Sequence, residues 1–314
     1  VLAGLSWIGA RARWVLAGGV LLATLLPALS AFLRPALPGL VVLVFCLAMS
    51  RLDLGALARR ACRPRRLALL AAWTMALMVL TPAALWAALT AAGLPAPHVA
   101  ALTYTFAAPP ITSSSALCLM LALEAGFALE LTVFASLLTP FIGPVVIKAL
   151  LGEAVPIDAL DLVLRVAAMI SGGTILALLV RKLAGAAAIE RHAGAFDGFA
   201  TVVLVLFVIP LFDGFWTLAR ADPGFALATF GLVLAANWGA QTVTAAGLGR
   251  VAEPALAGAA GLMWGNRNVA IYLAALPPDP LFTLYVGLYQ IPMLFTPLVM
   301  GWLLSGRGRT VSKG

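Results

Sequence analysis

Between Ala257 and Leu276 the chain reads AGAAGLMWGNRNVAIYLAAL, an apolar stretch with Gly265-Asn266-Arg267-Asn268 at its middle. Carried across a membrane, it sets one full charge and two amides near half depth, where an ionised side chain costs several kcal/mol to insert. A group of that kind is kept either by function or as a polar knot between helices. Segments interrupted in this way in transporters are broken helices whose free N–H and C=O ends bind ions or substrate. A second polar break lies at Ala107-Ala108-Pro109-Pro110-Ile111-Thr112-Ser113-Ser114-Ser115. Its paired prolines remove backbone donors and stop a helix. The N–H groups from Thr112 to Ser115 then open the next helix, and with their hydroxyls they suit an anionic group. The same hydroxyls and carbonyls also suit a hard cation, or the stretch is a kink satisfied by neighbouring helices.

These breaks need a membrane-spanning frame, and the composition supplies one. Of 314 residues, 63% are hydrophobic and only 10% charged, and the mean hydropathy is +1.07. A soluble domain carries roughly a quarter charged residues. Charged or proline-rich interruptions mark ten apolar segments: 14–33, 38–56, 67–92, 98–123, 127–151, 158–183, 197–219, 224–248, 255–276 and 281–304. At about 20 residues per crossing, they account for the chain as one transmembrane unit with no sizeable soluble domain. The basic N-terminal stretch has no small-residue cleavage pattern at signal-peptide length, so the first segment is expected to be a retained helix.

The basic residues report topology. Arg11, Arg13, Arg51, Arg59, Arg60, Arg63, Arg65, Arg66, Arg181, Lys182, Arg191, Arg250, Arg307, Arg309 and Lys313 fall on one side of a ten-crossing arrangement; Arg34, Lys148 and Arg220 fall on the other. Under the positive-inside rule both termini are cytoplasmic, in a bacterial-type inner membrane. The net charge of +8 sits in these flanking clusters without aromatic interleaving, which excludes nucleic acid as a partner; membrane lipid is the expected surroundings. Cys46, Cys62 and Cys118 are too far apart for a CxxC site, so neither a disulfide nor a metal cluster is implied. No cofactor is expected, and the chain is read as a monomer.

An internal repeat organises the segments. Segment five carries Ser136-Leu137-Leu138-Thr139-Pro140 and segment ten Met293-Leu294-Phe295-Thr296-Pro297, each following an interrupted segment at a similar distance. Five crossings per half, an odd number, make the repeat inverted in topology, and matched interruptions then point to a binding site near the midplane.

With these features the chain resembles the bile acid:sodium symporter family, most strongly over 108–145 and 261–276. The resemblance implies an all-α polytopic membrane protein of ten transmembrane helices in two inverted five-helix repeats, with helices four and nine broken and crossing. It further implies a panel domain over about 14–56 and 158–219 and a core domain over about 67–151 and 224–304. Substrate contact would fall on Thr112, Ser113, Ser114, Ser115, Asn266, Arg267 and Asn268. The sodium cages of that family are degenerate here. Ser114 and Thr132 keep the pattern, but Ser115 stands for the expected Asn and Ala128 for a Ser. Met263 stands for a Glu, Arg267 for a Gln, and a third-helix Gln falls near Leu77. Hard cations need several oxygen ligands and usually a carboxylate, so no metal is expected, and Arg267 is expected to supply the fixed positive charge instead.

A guanidinium at half depth calls for a partner, and Glu130 and Glu124 are the nearest carboxylates in the first half; either is also a candidate to carry a coupling proton. Glu124 also reads as a solvated cytoplasmic turn residue, and Glu130 as a partner for Arg165. Asn237 and Gln241, four apart, share a helix face and either line the site or bond between helices. Asp161 and Arg165 have the spacing of an interfacial ion pair. Asp213 with Trp216 reads as an interface anchor, and His98 and His192 fall in loops on opposite sides.

The expected function is secondary transport of a small or amphipathic organic anion by alternating access, without sodium. A proton-coupled or facilitative carrier, a cation/proton antiporter of the same crossed-helix design and a channel-like protein are the alternatives, although both breaks lack the Asp an antiporter needs. An enzyme is not expected: the spans hold no HExxH, paired-Asp or Ser-His arrangement.

Overall fold

A computed structural model describes residues 1–52, 55, 57, 59 and 63–308. Arg60, Cys62, Arg309 and Lys313 lie outside the described residues.

Helices make up the fold. In the first part of the chain they are α1 (Leu2–Ala10), α2 (Ala12–Leu25), α3 (Pro27–Leu33) and α4 (Leu37–Ser50). Next come α5 (Pro64–Met75), α6 (Thr81–Ala91), α7 (Ala96–Ala107), α8 (Ser114–Met120) and α9 (Ala125–Leu151). The second part holds α10 (Ala159–Ala184), α11 (Ala186–Arg191), α12 (Ala193–Val208), α13 (Phe215–Ala221) and α14 (Pro223–Leu234). It ends with α15 (Ala240–Leu248), α16 (Pro254–Gly265), α17 (Ala270–Ala275) and α18 (Pro280–Gly308). Among the described residues, six helical runs are long and apolar enough to cross a membrane, or seven if the bent pair α1 and α2 is one span. The molecule is an all-α, multi-pass membrane protein.

Two boundaries differ from the sequence reading. The break expected at 34–37 is helical: α3, a 3₁₀ turn at Arg34–Ala36 and α4 form one run from Pro27 to Ser50. Prolines 35 and 38 sit at the first positions of their elements, where a helix has no use for the missing N–H. The chain instead turns at Leu26. The other difference is α1, which periodicity did not single out. It packs along α12, and Gly9 permits the approach, because a Cβ there would stand 2.5 Å from the Gly194 carbonyl oxygen. Small residues that let backbones meet are the usual means of helix association in lipid.

Two stretches of the chain follow the same order of elements. Helices α5 and α6 are joined by a π-helical turn at Ala76–Leu80, and α14 and α15 by one at Ala235–Gly239. Each is followed by a 12-residue helix, α7 or α16, then a short non-helical gap and a helix of six or seven residues. A long helix with two internal prolines closes each stretch: α9 with Pro140 and Pro144, α18 with Pro292 and Pro297. The π turns matter because they push a carbonyl out of the regular ladder, a frequent device at functional sites.

Helix α4 packs on α10 and α12, α15 on α16, and α9 contacts α5, α8, α10 and α16. The main apolar core includes four buried tyrosines, Tyr104, Tyr272, Tyr285 and Tyr289, each carrying a hydroxyl into low-dielectric surroundings. A second, smaller core gathers Leu70, Cys118, Ala128, Leu131 and Met263.

Candidate functional site

Both polar breaks are non-helical and they meet. Helix α7 stops at Ala107, ahead of Pro109 and Pro110, and α16 stops at Gly265. Between them runs a short antiparallel bridge pairing Pro110 with Arg267. The Ile111 N–H donates to the Asn266 carbonyl at 3.0 Å, and the Asn268 N–H donates to the Pro109 carbonyl at 2.8 Å. Irregular backbone inside a membrane persists only where protein satisfies it, and here each break supplies the other's partners.

Arg267 lies at the centre with 1% of its surface exposed. Its Nε donates to the Trp264 carbonyl at 3.1 Å, Nη1 to the Ala108 carbonyl at 3.0 Å and Nη2 to the Leu77 carbonyl at 2.7 Å. The guanidinium also lies 5.4 Å from the centroid of the Phe106 ring. Two of the acceptors sit at the C-terminal ends of α7 and α16, where helix dipoles concentrate negative charge, and the third comes from the π turn after α5. A buried charge has to be hydrogen-bonded to be tolerable, and three converging carbonyls do this without an acid.

The expectation of a carboxylate partner for Arg267 is therefore corrected. Glu130 pairs with Arg66, Oε2 to Nε at 2.5 Å, and not with Arg165. Glu124 is exposed at the turn before α9, where its N–H donates to the Ala255 carbonyl. Arg165 donates to the Ala275 carbonyl at 3.1 Å, and no Asp161 to Arg165 ion pair forms among the described residues. The guanidinium's donors go instead to the carbonyls of Trp264, Ala108 and Leu77.

Around Gly265 and Asn266 a polar cluster forms. Asn237 Nδ2 donates to the Gly265 carbonyl at 2.7 Å and to Asn266 Oδ1 at 3.2 Å. Gln241 Nε2 donates to Asn237 Oδ1 at 2.7 Å and Thr296 Oγ1 at 3.0 Å. The Tyr289 hydroxyl also donates to the Gly265 carbonyl. Asn237 and Gln241 thus hold the end of α16, and the second π turn provides one of them. Tyr272 ties the other break by donating to the Ala107 carbonyl at 3.1 Å. Sequence reasoning missed Tyr272, Tyr289 and Trp264; the two tyrosines were signalled by a phenol within an otherwise apolar run, since a buried Tyr hydroxyl needs an acceptor, whereas Trp264 acts through its backbone carbonyl, which no side-chain pattern marks.

Of the first break's residues, Ser114 is buried and donates to the Ile111 carbonyl at 2.7 Å, Thr112 and Ser115 are half-buried, and Ser113 is exposed. Asn268 is half-buried. The positions where the resemblance would put cation ligands have other neighbours: Ala128 and Met263 pack with Cys118 in the smaller apolar core, and the buried Thr132 hydroxyl has no hydrogen-bond partner among the described residues. Leu77 contributes its carbonyl to Arg267 while its side chain is buried beside Met78 and Ala135. His98 is not in a loop; it lies in the first turn of α7, its ring stacked 4.6 Å from that of Phe225. Trp216 donates to the Thr24 carbonyl, joining α13 to α2.

Fold and site together define a multi-pass helical membrane protein built about two interrupted helices and one buried guanidinium. No protein-family model matches the chain, and no curated protein matches it.

Proposed function

We propose that the protein is a secondary transporter that moves a small or amphipathic organic anion by alternating access. In this reading it is arranged as bile acid:sodium symporters are, with ten crossings in two inverted repeats, a core of 67–151 and 224–304, a panel of 14–56 and 158–219, and both termini cytoplasmic in an inner membrane. The observation that carries it is Arg267, fully buried where the two breaks bridge, its three donors on the carbonyls of Trp264, Ala108 and Leu77. A permanently charged guanidinium there does what a bound cation does elsewhere: it neutralises converging helix ends and holds the two breaks together. The paired π turns, half-helices and proline-bearing long helices support the repeat. The apolar packing of Ala128 and Met263 supports independence from sodium. Half-exposed Thr112, Ser115 and Asn268, with Ser113, supply hydroxyl and amide groups for the anion.

The test is uptake by proteoliposomes of labelled taurocholate and of a panel of carboxylates and sulfonates, chosen by which of them raises the melting temperature of the purified protein. Saturable uptake with counterflow, unchanged when sodium is replaced by choline, and lost in Arg267→Gln, is the expected result. Sodium-dependent uptake, or wild-type rates in Arg267→Gln, would overturn the role given to Arg267; unsaturable currents would replace a carrier by a channel.

A further inference from the structure

At the start of α5 the chain places Arg63, Arg65 and Arg66 around an open cleft of about 730 Å³, whose other lining residues are Pro64, Leu69 and Glu130. Three arginines and one carboxylate line it, and the Arg66 guanidinium is the one paired with that carboxylate among the described residues. Glu130 is buried and, among the described residues, is paired with Arg66 alone, whose guanidinium also lies 5.7 Å from the centroid of the Phe127 ring. Arg63 and Arg65 are exposed and have no ion-pair partner among the described residues. The cleft thus keeps an excess of positive charge that its own acid does not cancel. On the next turn of α5 Leu69, 41% exposed, lines the same cleft, so an apolar side chain adjoins the charged rim.

We infer that this cleft binds a phosphoryl anion, with Leu69 receiving an attached apolar chain when the anion is a lipid headgroup. Planar guanidinium forks match phosphate oxygens in pairs, and a phosphate monoester offsets, or a diester reduces, the excess charge that a single carboxylate leaves. Glu130 competes for Arg66: while the ion pair stands, one of three guanidinium groups is withheld, and an entering phosphate meets chiefly Arg63 and Arg65. The cleft shares no residue with the crossover around Arg267, and the inference is independent of transport.

The probes are dihexanoyl phosphatidylglycerol, dihexanoyl phosphatidylcholine and inorganic phosphate, titrated by calorimetry into the full chain in a neutral detergent. Phosphatidylglycerol is expected to bind, the zwitterionic lipid at least tenfold more weakly. The double variant Arg63→Ala/Arg65→Ala is expected to lose about tenfold in affinity, as befits charge-assisted hydrogen bonds, and Glu130→Gln to bind several-fold more tightly. Ligand-free melting temperatures identify any variant that has not folded; both arginines are exposed, so the double variant tests the site even if Glu130→Gln proves unstable. Inorganic phosphate binding as tightly as the lipid supports the anion site and assigns it to a soluble source. Equal binding of the two lipids, or of wild type and double variant, overturns it.

Discussion

Arg267 replaces a side-chain partner by backbone, and this sets what its mutation does. Arg267→Met leaves the carbonyls of Ala108, Leu77 and Trp264 buried without donors. Each such loss costs about 1–3 kcal/mol, so the variant is expected to lose about 3 kcal/mol or more, read as a lower melting temperature in detergent. Arg267→Lys keeps the charge but not the three-way fork, and its melting temperature should fall between those of wild type and Arg267→Met. Tyr289→Phe removes one of two donors to the Gly265 carbonyl and leaves Asn237 in place; its cost should be only about 1 kcal/mol by the same measurement. If Arg267→Met melts like wild type, the guanidinium is not what holds the breaks together.

At the scale of the element, α16 meets α15 through glycine. A Cβ on Gly261 would stand 2.5 Å from the Gln241 carbonyl oxygen and 2.9 Å from the Ala245 Cβ, and one on Gly265 would collide with the Asn237 carbonyl. Backbone does not yield, so the helices must part. A Cβ on Gly258 meets the end of the Leu123 side chain at 2.6 Å, which can rotate away. Gly261→Ala is therefore expected to cost about 1–3 kcal/mol, the range of overpacking, and Gly258→Ala much less. Parallel thermal unfolding of the two variants checks this, and equal melting temperatures would contradict the close approach. The π turns belong to the same scale: one gives the Leu77 carbonyl to Arg267 and the other carries Asn237 to the end of α16, so each break is secured by the irregularity of a neighbouring helix.

For the whole fold, the proposed ten-crossing arrangement would put the loop at Gly93 outside and the loop at Gly249 inside. With single cysteines at these positions, in a background with Cys46, Cys62 and Cys118 replaced by serine, a membrane-impermeant maleimide is expected to label Gly93→Cys in intact cells and Gly249→Cys only after the membrane is opened. Labelling of both from one side would break the proposed topology. The outcome bears on the arginine cleft as well, since Arg63 to Arg66 must face the side where Gly249 lies.

Sequence alone determined the membrane-spanning helical class and both interruptions, because paired prolines and a Gly-Asn-Arg-Asn run are local events that an apolar helix cannot absorb. It also singled out Arg267, Asn237 and Gln241, polar side chains conspicuous against their surroundings. Tertiary structure alone decided what answers the guanidinium. Every residue owns a carbonyl, so nothing in the side-chain pattern marks those of Leu77 and Ala108, and only the folding together of distant helix ends aims them at Arg267. The same holds for Glu130, whose choice of Arg66 over Arg267 or Arg165 follows from which helices lie side by side.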